Sequence, residues 1–194
     1  MDVVKAVGKY LNTSIGTVCF NTDRVLTTVL DKENIEGFAS IILRLANRSG
    51  VKMSPEQTLL SYQWLEHIAM YANQATVNST FAKNFLQGID KALEKTTYLT
   101  GNHITVADIA VYHTLYPMIE RLSVSEQESL MNVCRWSKHI QSLPKATRWI
   151  EHLKRFPLPK SILPHQLKNT ELDKPVVYHP QPFAFPGYPV ILYL

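Results

Sequence analysis

Apolar residues recur at helical spacing over most of the first 155 positions of the chain. Residues three or four positions apart lie on one face of a helix, so this spacing predicts a mainly helical protein. Two short segments differ, because they are rich in β-branched residues and favour strands. We predict helices over 3–11 and 36–47, a long helix from 54, another from 78 or 79, a central helix from 105, and shorter helices near 125–131, 135–142 and 145–154.

The two strand-like segments lie close together near the start of the chain. They cover residues 17–20 and 24–30, and the polar run Asn21-Thr22-Asp23 between them is typical of a turn. After the helix over 36–47, the run from Asn47 to Gly50 indicates a helix end and a linker. Residues 1–50 are therefore predicted to form a small part that contains both helix and strand.

Two strong helix-start signals mark the second part of the chain. Ser54 precedes Pro55 at the first helical position, and Gln57 completes a capping box. Thr105 and Asp108 have the same spacing, and the helix that follows is apolar nearly all round, as a buried central helix is. We predict an all-helical part over 54–155, in which Ser54, Thr105 and Asp108 have structural, capping roles.

The composition changes in the last part of the chain. Residues 156–194 contain eight of the eleven prolines, together with six of the tyrosines and phenylalanines. Proline removes a backbone donor and disfavours regular elements, so this segment is predicted to be a proline- and aromatic-rich tail and not a domain.

Charge and cysteine content exclude several classes of protein. The net charge is +4, but lysine and arginine are scattered, which favours a solvated surface over a nucleic-acid site. No apolar run approaches the roughly 18 residues of a membrane span, and we expect no signal peptide. The two cysteines, Cys19 and Cys134, suggest no disulfide framework, so a cytosolic or nuclear compartment is predicted.

The chain contains no motif typical of a cofactor or metal site. The seven histidines form no His-x-x-x-His pair, there is no Cys-x-x-Cys pair, and no glycine-rich phosphate loop is present. Cys134 follows Val133 on a predicted helix, which indicates packing and not a nucleophile. We therefore predict no catalytic residue, no metal ligand and no cofactor.

Several short strings resemble one family. The strings are Gln63-Trp64-Leu65-Glu66, Tyr98-Leu99-Thr100-Gly101, Thr105-x-Ala107-Asp108-Ile109, Asn132-Val133-Cys134-Arg135-Trp136 and His139-Ile140-Gln141. They resemble the elongation factor 1 epsilon family, also called aminoacyl-tRNA synthetase complex-interacting multifunctional protein 3. The resemblance covers residues 54–155 well and 24–50 more weakly. The resemblance implies a glutathione-transferase-like fold. This fold would have a small α/β thioredoxin-like domain, reduced in size, over 1–50 and an all-α helical bundle over 54–155.

The resemblance also implies a function. Members of the family are non-catalytic scaffold subunits of the multi-aminoacyl-tRNA synthetase complex. They bridge the transferase-like domains of methionyl-tRNA synthetase and glutamyl-prolyl-tRNA synthetase, and elongation factor 1 subunits are further expected partners. The location implied is the cytoplasm, with a nuclear role in DNA-damage signalling.

A working glutathione transferase is the alternative. Such an enzyme needs a hydroxyl or thiol near the first strand, for which Tyr10, Ser14 and Cys19 are candidates by type alone. It also has a proline before the third strand, which the run 28–30 lacks. The acid-serine or glutamine-serine pair that holds glutathione is replaced here by Glu36 and Gly37. Two of the three requirements therefore fail.

Two surfaces are predicted to bind partners. Ala39, Leu43 and Ala46 form a second apolar stripe on the helix 36–47, beside the one expected to cover the strands. The alternative is that the helical part covers both stripes within one chain. Arg135 is predicted to face solvent and contact a second partner, since its planar guanidinium suits paired recognition of a carboxylate. Its alternative is a solvated or internally paired arginine.

Overall fold

The computed structural model describes residues 2–143. The predicted helix 145–154 and the predicted tail 156–194 lie outside the described residues. In chain order the elements are α1 (Asp2–Tyr10), β1 (Val18–Phe20), β2 (Leu26–Leu30), β3 (Glu33–Glu36), α2 (Phe38–Arg48), α3 (Pro55–Val77), α4 (Ser79–Ala92), α5 (Val106–Ile119), α6 (Val124–Ser129) and α7 (Met131–Ser142).

The three strands form an antiparallel sheet in the order β1-β2-β3. Cys19 pairs with Thr27 between β1 and β2, and Thr28 pairs with Ile35 between β2 and β3. The side chain of Asn21 orders the first turn, because its Oδ1 accepts hydrogen bonds from the amides of Asp23 (3.0 Å) and Val25 (2.9 Å).

The third strand is absent from the sequence-based prediction. β3 is largely polar, so it shows no alternation of apolar and polar residues. It forms because the tight turn at Asp31 and Lys32 returns the chain alongside β2, and pairing with β2 then overrides local preference.

The predicted helix start at Glu36 is wrong, because Glu36 is the last residue of β3 and pairs with β2. Gly37 precedes α2 at φ 89°, a left-handed value that glycine adopts without strain.

Helix α5 is the centre of the described structure. Ten of its fourteen residues are buried, and it packs against α1, α2, α3 and α7. A helix that is apolar all round is stable only when neighbours cover every face, and these four helices do so. Helix α3 has 23 residues and packs against α2, α4 and α5, so it joins the small α/β part to the helical part.

The arrangement matches the predicted fold class, a small α/β thioredoxin-like part followed by a helical bundle. All described residues belong to one compact unit, in which α1 and α2 pack directly on the helical part. The domain limits 1–50, 54–155 and 156–194 stay predictions. No helix among residues 2–143 is long and apolar enough to cross a membrane.

Candidate functional site

The carboxylate of Asp108 is fully buried and accepts four hydrogen bonds. Its Oδ2 accepts from the amide (2.9 Å) and the hydroxyl (3.1 Å) of Thr105. Its Oδ1 accepts from the amide of Leu99 (2.9 Å) and from the indole Nε1–H of Trp136 (3.0 Å). Every lone-pair position of this carboxylate is therefore used, which offsets the cost of burying a charge.

A second tryptophan extends this network. The indole of Trp64 in α3 donates to the carbonyl of Leu99 at 2.9 Å, so the peptide groups on both sides of Leu99 are held. The network joins α3, the turn before α5, the first turn of α5, and α7. The sequence pattern indicated Thr105 and Asp108 but not the partners Leu99, Trp64 and Trp136. One general rule could have indicated the two tryptophans as partners, since a buried indole N–H usually finds an acceptor.

Burial raises the pKa of Asp108, and the hydrogen bonds from Leu99, Thr105 and Trp136 oppose that rise. The same charge acts on Tyr10, whose pKa is raised first by burial and then by Asp108. Because Asp108 has no solvent-exposed surface and all of its acceptors are occupied, the arrangement supports a structural role and offers no room for a substrate.

Ser54 lies at the surface and caps α3. Its Oγ accepts from the amide of Gln57 (3.1 Å), and the Gln57 side-chain oxygen accepts from the amide of Ser54 (3.0 Å). Ser123 and Glu126 form a second reciprocal pair at the start of α6, which the sequence analysis did not predict. Each pair satisfies amides that a helix start leaves without intrahelical partners.

The structure corrects the prediction for α2. Ala39 and Ala46 are fully buried within the chain, because α2 packs against β2 and β3 on one side and against α1, α3 and α5 on the other. No surface of these two residues is left for a partner. Leu43 is partly exposed and is the member of the predicted stripe that a partner could still contact.

Arg135 faces solvent as predicted, but it is also paired within the chain, which was the alternative to a partner contact. Its side chain is exposed, but Nη2 donates to the carbonyls of Leu93 (2.7 Å) and Thr96 (3.0 Å). Leu93 is the C-cap of α4, where carbonyl groups lack intrahelical partners and a cation is favourable. The guanidinium is therefore paired within the chain, and a binding role would require it to share or leave these carbonyls.

A different apolar surface was missed by the sequence analysis. Four residues of α3 leave large parts of their side chains exposed: Leu59 at 60%, Tyr62 at 44%, Met70 at 62% and Val77 at 83%. At 100° per residue they fall on one side of the helix, and we call them the α3 outer stripe. The missed signal is that α3 is apolar on more faces than the core requires. Exposed apolar groups that share one face are a feature of interaction sites.

The two cysteine thiols have different environments. The thiol of Cys19 is exposed and lies 3.3 Å from the hydroxyl of Thr27. Burial, together with the nearby Asp90, raises the pKa of Cys134 to about 11, so this thiol stays protonated near neutral pH. Within residues 2–143 no group of three or more histidine, cysteine or acidic side chains is arranged to hold a metal ion.

Solved structures define the class of fold. The structure resembles a glutathione transferase YghU from Streptococcus pneumoniae in complex with glutathione, with a TM-score of 0.55, 22% identity, and coverage of 66% of this chain and 60% of that one. It also resembles a theta class glutathione S-transferase from Xanthomonas axonopodis with glutathione bound, with a TM-score of 0.58, 14% identity, and coverage of 75% and 88%. The protein has the glutathione-transferase-like fold.

Sequence comparison identifies more similar proteins than the comparison of folds does. Eukaryotic translation elongation factor 1 epsilon-1 from Cricetulus griseus is 33% identical over 116 residues, which are 57% of this chain and 66% of that protein. The human protein of that name is 33% identical over 108 residues, 55% of this chain and 61% of that protein. Residues 59–144 match the family model described as nuclear-export cofactor Arc1p. The resemblance to elongation factor 1 epsilon is thereby confirmed, although the chain spans less than two thirds of the length of these relatives.

Proposed function

We propose that this protein is a non-catalytic scaffold subunit that acts in protein synthesis. The observation that carries the proposal is its 33% identity over 116 residues to a protein named as a translation elongation factor 1 epsilon. The partners we propose are methionyl-tRNA synthetase and glutamyl-prolyl-tRNA synthetase, with elongation factor 1 subunits in addition. The proposal extends to a cytoplasmic location and a nuclear role in DNA-damage signalling, which fractionation of cells before and after DNA damage would test.

The local structure at α2 supports a protein without transferase activity. Glu36 and Gly37 occupy the positions where a transferase has its glutathione-binding pair, and Gly37 caps α2 without a side-chain hydrogen bond. Gly37 has no side chain, so it supplies no hydroxyl for the glutamyl group at this position. The raised pKa of Cys134 removes a second source of nucleophilic chemistry.

We assign the synthetase contact to the α3 outer stripe. Its four residues are exposed and largely apolar, and they lie within residues 59–144, which match the family model. Desolvating such side chains is the main favourable term in most protein association. The stripe replaces Ala39 and Ala46 as the predicted surface, while Leu43 on α2 stays a candidate for the edge of the same contact.

A binding experiment with purified methionyl-tRNA synthetase tests the assignment. Met70→Glu puts a charge near the middle of the α3 outer stripe and should weaken binding about 30-fold, since a central contact is often worth 2 kcal/mol. Val124→Glu is the matched control, because Val124 is 65% exposed on α6, away from α3. Equal binding of the two variants would remove the stripe from the interface. No binding by the unmodified chain would contradict the synthetase proposal itself.

The similarity to glutathione-bound structures makes transferase activity the competing function. A calorimetric titration with glutathione and a conjugation assay with an electrophilic aromatic substrate separate the two functions. The scaffold proposal predicts neither heat of binding nor turnover above the rate without protein. Measurable turnover that is lost in Cys19→Ser or in Tyr10→Phe would instead establish an enzyme.

A further inference from the structure

The two outer edges of the small sheet differ in charge. The edge formed by β3 exposes Glu33, Asn34 and Glu36, and charged side chains on an edge strand discourage pairing with another chain. The edge formed by β1 consists of Val18, Cys19 and Phe20 and has no charge. One edge of the sheet is therefore protected, while the other lacks this protection.

The hydrogen-bond pattern shows which groups of β1 face outward. The amide of Asn21 donates to the carbonyl of Val25 at 2.9 Å, which makes these two residues a hydrogen-bonded pair. Hydrogen-bonded and non-hydrogen-bonded pairs alternate along an antiparallel ladder, so Cys19 and Thr27 form the next hydrogen-bonded pair. The amide and carbonyl groups of Val18 and Phe20 consequently point away from β2, toward the outer edge.

The side chains at this edge are accessible as well. Phe20 is 57% exposed, Cys19 is exposed, and Val18 is partly exposed. Val29 on β2 is 58% exposed and lies on the same face of the sheet as Cys19. The reason is that Cys19 pairs with Thr27, and Thr27 and Val29 are two positions apart on β2. An apolar, uncharged edge with outward-facing backbone groups is a template for another strand.

We propose that this edge pairs with the same edge of a second copy of the chain, antiparallel and about a two-fold axis through Cys19. In that register Val18 of each copy lies opposite Phe20 of the other, and each such pair exchanges two backbone hydrogen bonds. All outward-facing groups of both strands are then used. The register is self-complementary, as a two-fold interface requires, and a neutral strand meets its copy without charge repulsion.

The same register gives Cys19 a distinct position. Cys19 of one copy lies directly opposite Cys19 of the other in a non-hydrogen-bonded pair, where Cα atoms are about 4.5 Å apart. That separation lies within the range that a disulfide can bridge. Only three residues of each copy take part in the pairing, so the association should be weak, with a dissociation constant on the order of 100 μM. The two sheets would then form one sheet of six strands.

Oxidative cross-linking of the purified full chain tests the register. With copper phenanthroline as oxidant, the unmodified protein and Cys134→Ser should form disulfide-linked dimers, and Cys19→Ser should not. Moving the thiol by one residue, in Val18→Cys combined with Cys19→Ser, should slow dimer formation at least about tenfold, because Val18 lies opposite Phe20 and not opposite itself. Equal cross-linking at positions 18 and 19, or a dimer linked through Cys134, would overturn the proposal.

Sedimentation equilibrium over a wide range of protein concentration tests the surface without a covalent bond. Phe20→Lys should raise the dissociation constant at least about tenfold, because it removes the apolar contact with Val18 and places two like charges as diagonal neighbours across the two-fold axis. Val124→Lys changes an equally exposed apolar residue on α6 and should leave the constant unchanged. A monomer at all concentrations, or equal constants for both variants, would contradict the proposal. Circular dichroism establishes that each variant is folded.

Discussion

The small sheet and the helical bundle are stabilised in different ways. The bundle is organised around the buried Asp108, whose four hydrogen bonds tie the start of α5 to α7 and to the turn before it. The sheet has three short strands, and its ion pairs to α2, Arg44 with Glu33 and Arg48 with Asp31, lie at the surface. Because surface pairs contribute little, the sheet depends on its backbone pairing, its turns and the buried side chains of β2 that pack against α2. The bundle has in addition a polar network inside the core.

Removing the Asp108 carboxylate should have the largest effect. Asp108→Ala leaves the amides of Leu99 and Thr105 and the indole of Trp136 buried without acceptors, so we expect a loss of about 4 kcal/mol in the free energy of unfolding. Urea denaturation of the full chain measures it. Asp108→Asn keeps the volume and one acceptor oxygen and should lose less. A loss below about 1 kcal/mol in Asp108→Ala would contradict the role given to this network.

A substitution at Gly16 should destabilise the sheet by a smaller amount. Gly16 has φ 66°, and an added Cβ would lie 2.6 Å from the carbonyl oxygen of Val29 and 3.2 Å from the Thr28 hydroxyl. Gly16→Ala should therefore cost about 2 kcal/mol through strain and contact. Gly50→Ala is the control for φ alone, because Gly50 has φ 79° but open space around it. Equal losses in both variants would mean that contact with β2 contributes nothing.

Acidification should destabilise the bundle through His67. This ring packs among Trp64, Tyr71 and Phe85, and burial lowers its pKa from 6.5 to about 4. The unfolded chain thus takes up a proton at higher pH than the folded one, so stability falls as the pH drops from 6.5 toward 4. Allowing for the partly exposed ring, we expect a loss of about 1 kcal/mol at pH 5.

His67→Phe keeps an aromatic ring in the cluster and removes the titration. Urea denaturation at pH 7 and at pH 5 should show a smaller difference for this variant than for the unmodified chain. The same pH dependence in both proteins would assign the effect to other groups.

The smallest predicted effect is a gain in stability at the turn between β2 and β3. Asp31 and Lys32 have φ values of 53° and 69°, a left-handed conformation that side chains disfavour and that two-residue hairpins usually fill with glycine. Lys32→Gly should stabilise the chain by about 0.5–1 kcal/mol relative to Lys32→Ala, which removes the same side chain but keeps the strain. Thermal denaturation of the two variants measures the difference. Equal midpoints would mean that this turn is not strained.

Local signals in the sequence were sufficient to predict much of the helical bundle. The capping residues at Ser54, Thr105 and Asp108 are read from neighbours three positions apart, so the starts of α3 and α5 follow from short segments. The partners of Asp108 were not predictable in this way, since Trp136 is 28 residues away in the chain. Which donor reaches a buried carboxylate depends on how the helices pack.

The same limit explains the errors in the sheet and at the candidate surfaces. β3 is too polar to be recognised as a strand, and only its pairing with β2 defines it. Ala39 and Ala46 lie on an apolar stripe, but whether a partner or the same chain covers a stripe is a tertiary question, and here the chain covers both residues. Arg135 faces solvent as predicted, but its contact with the end of α4 was not predictable from local sequence, because it joins residues about 40 positions apart.

Native-state hydrogen exchange on the full chain tests the contrast between the two regions most directly. The indole protons of Trp64 and Trp136 should exchange only through global unfolding, because their acceptors lie in the buried network. The paired amides of Cys19 and Thr27 should exchange through local opening of the sheet, with protection factors lower by at least about 100-fold. Equal protection of the indole protons and the sheet amides would contradict the account, since it would mean that one cooperative unit holds both regions.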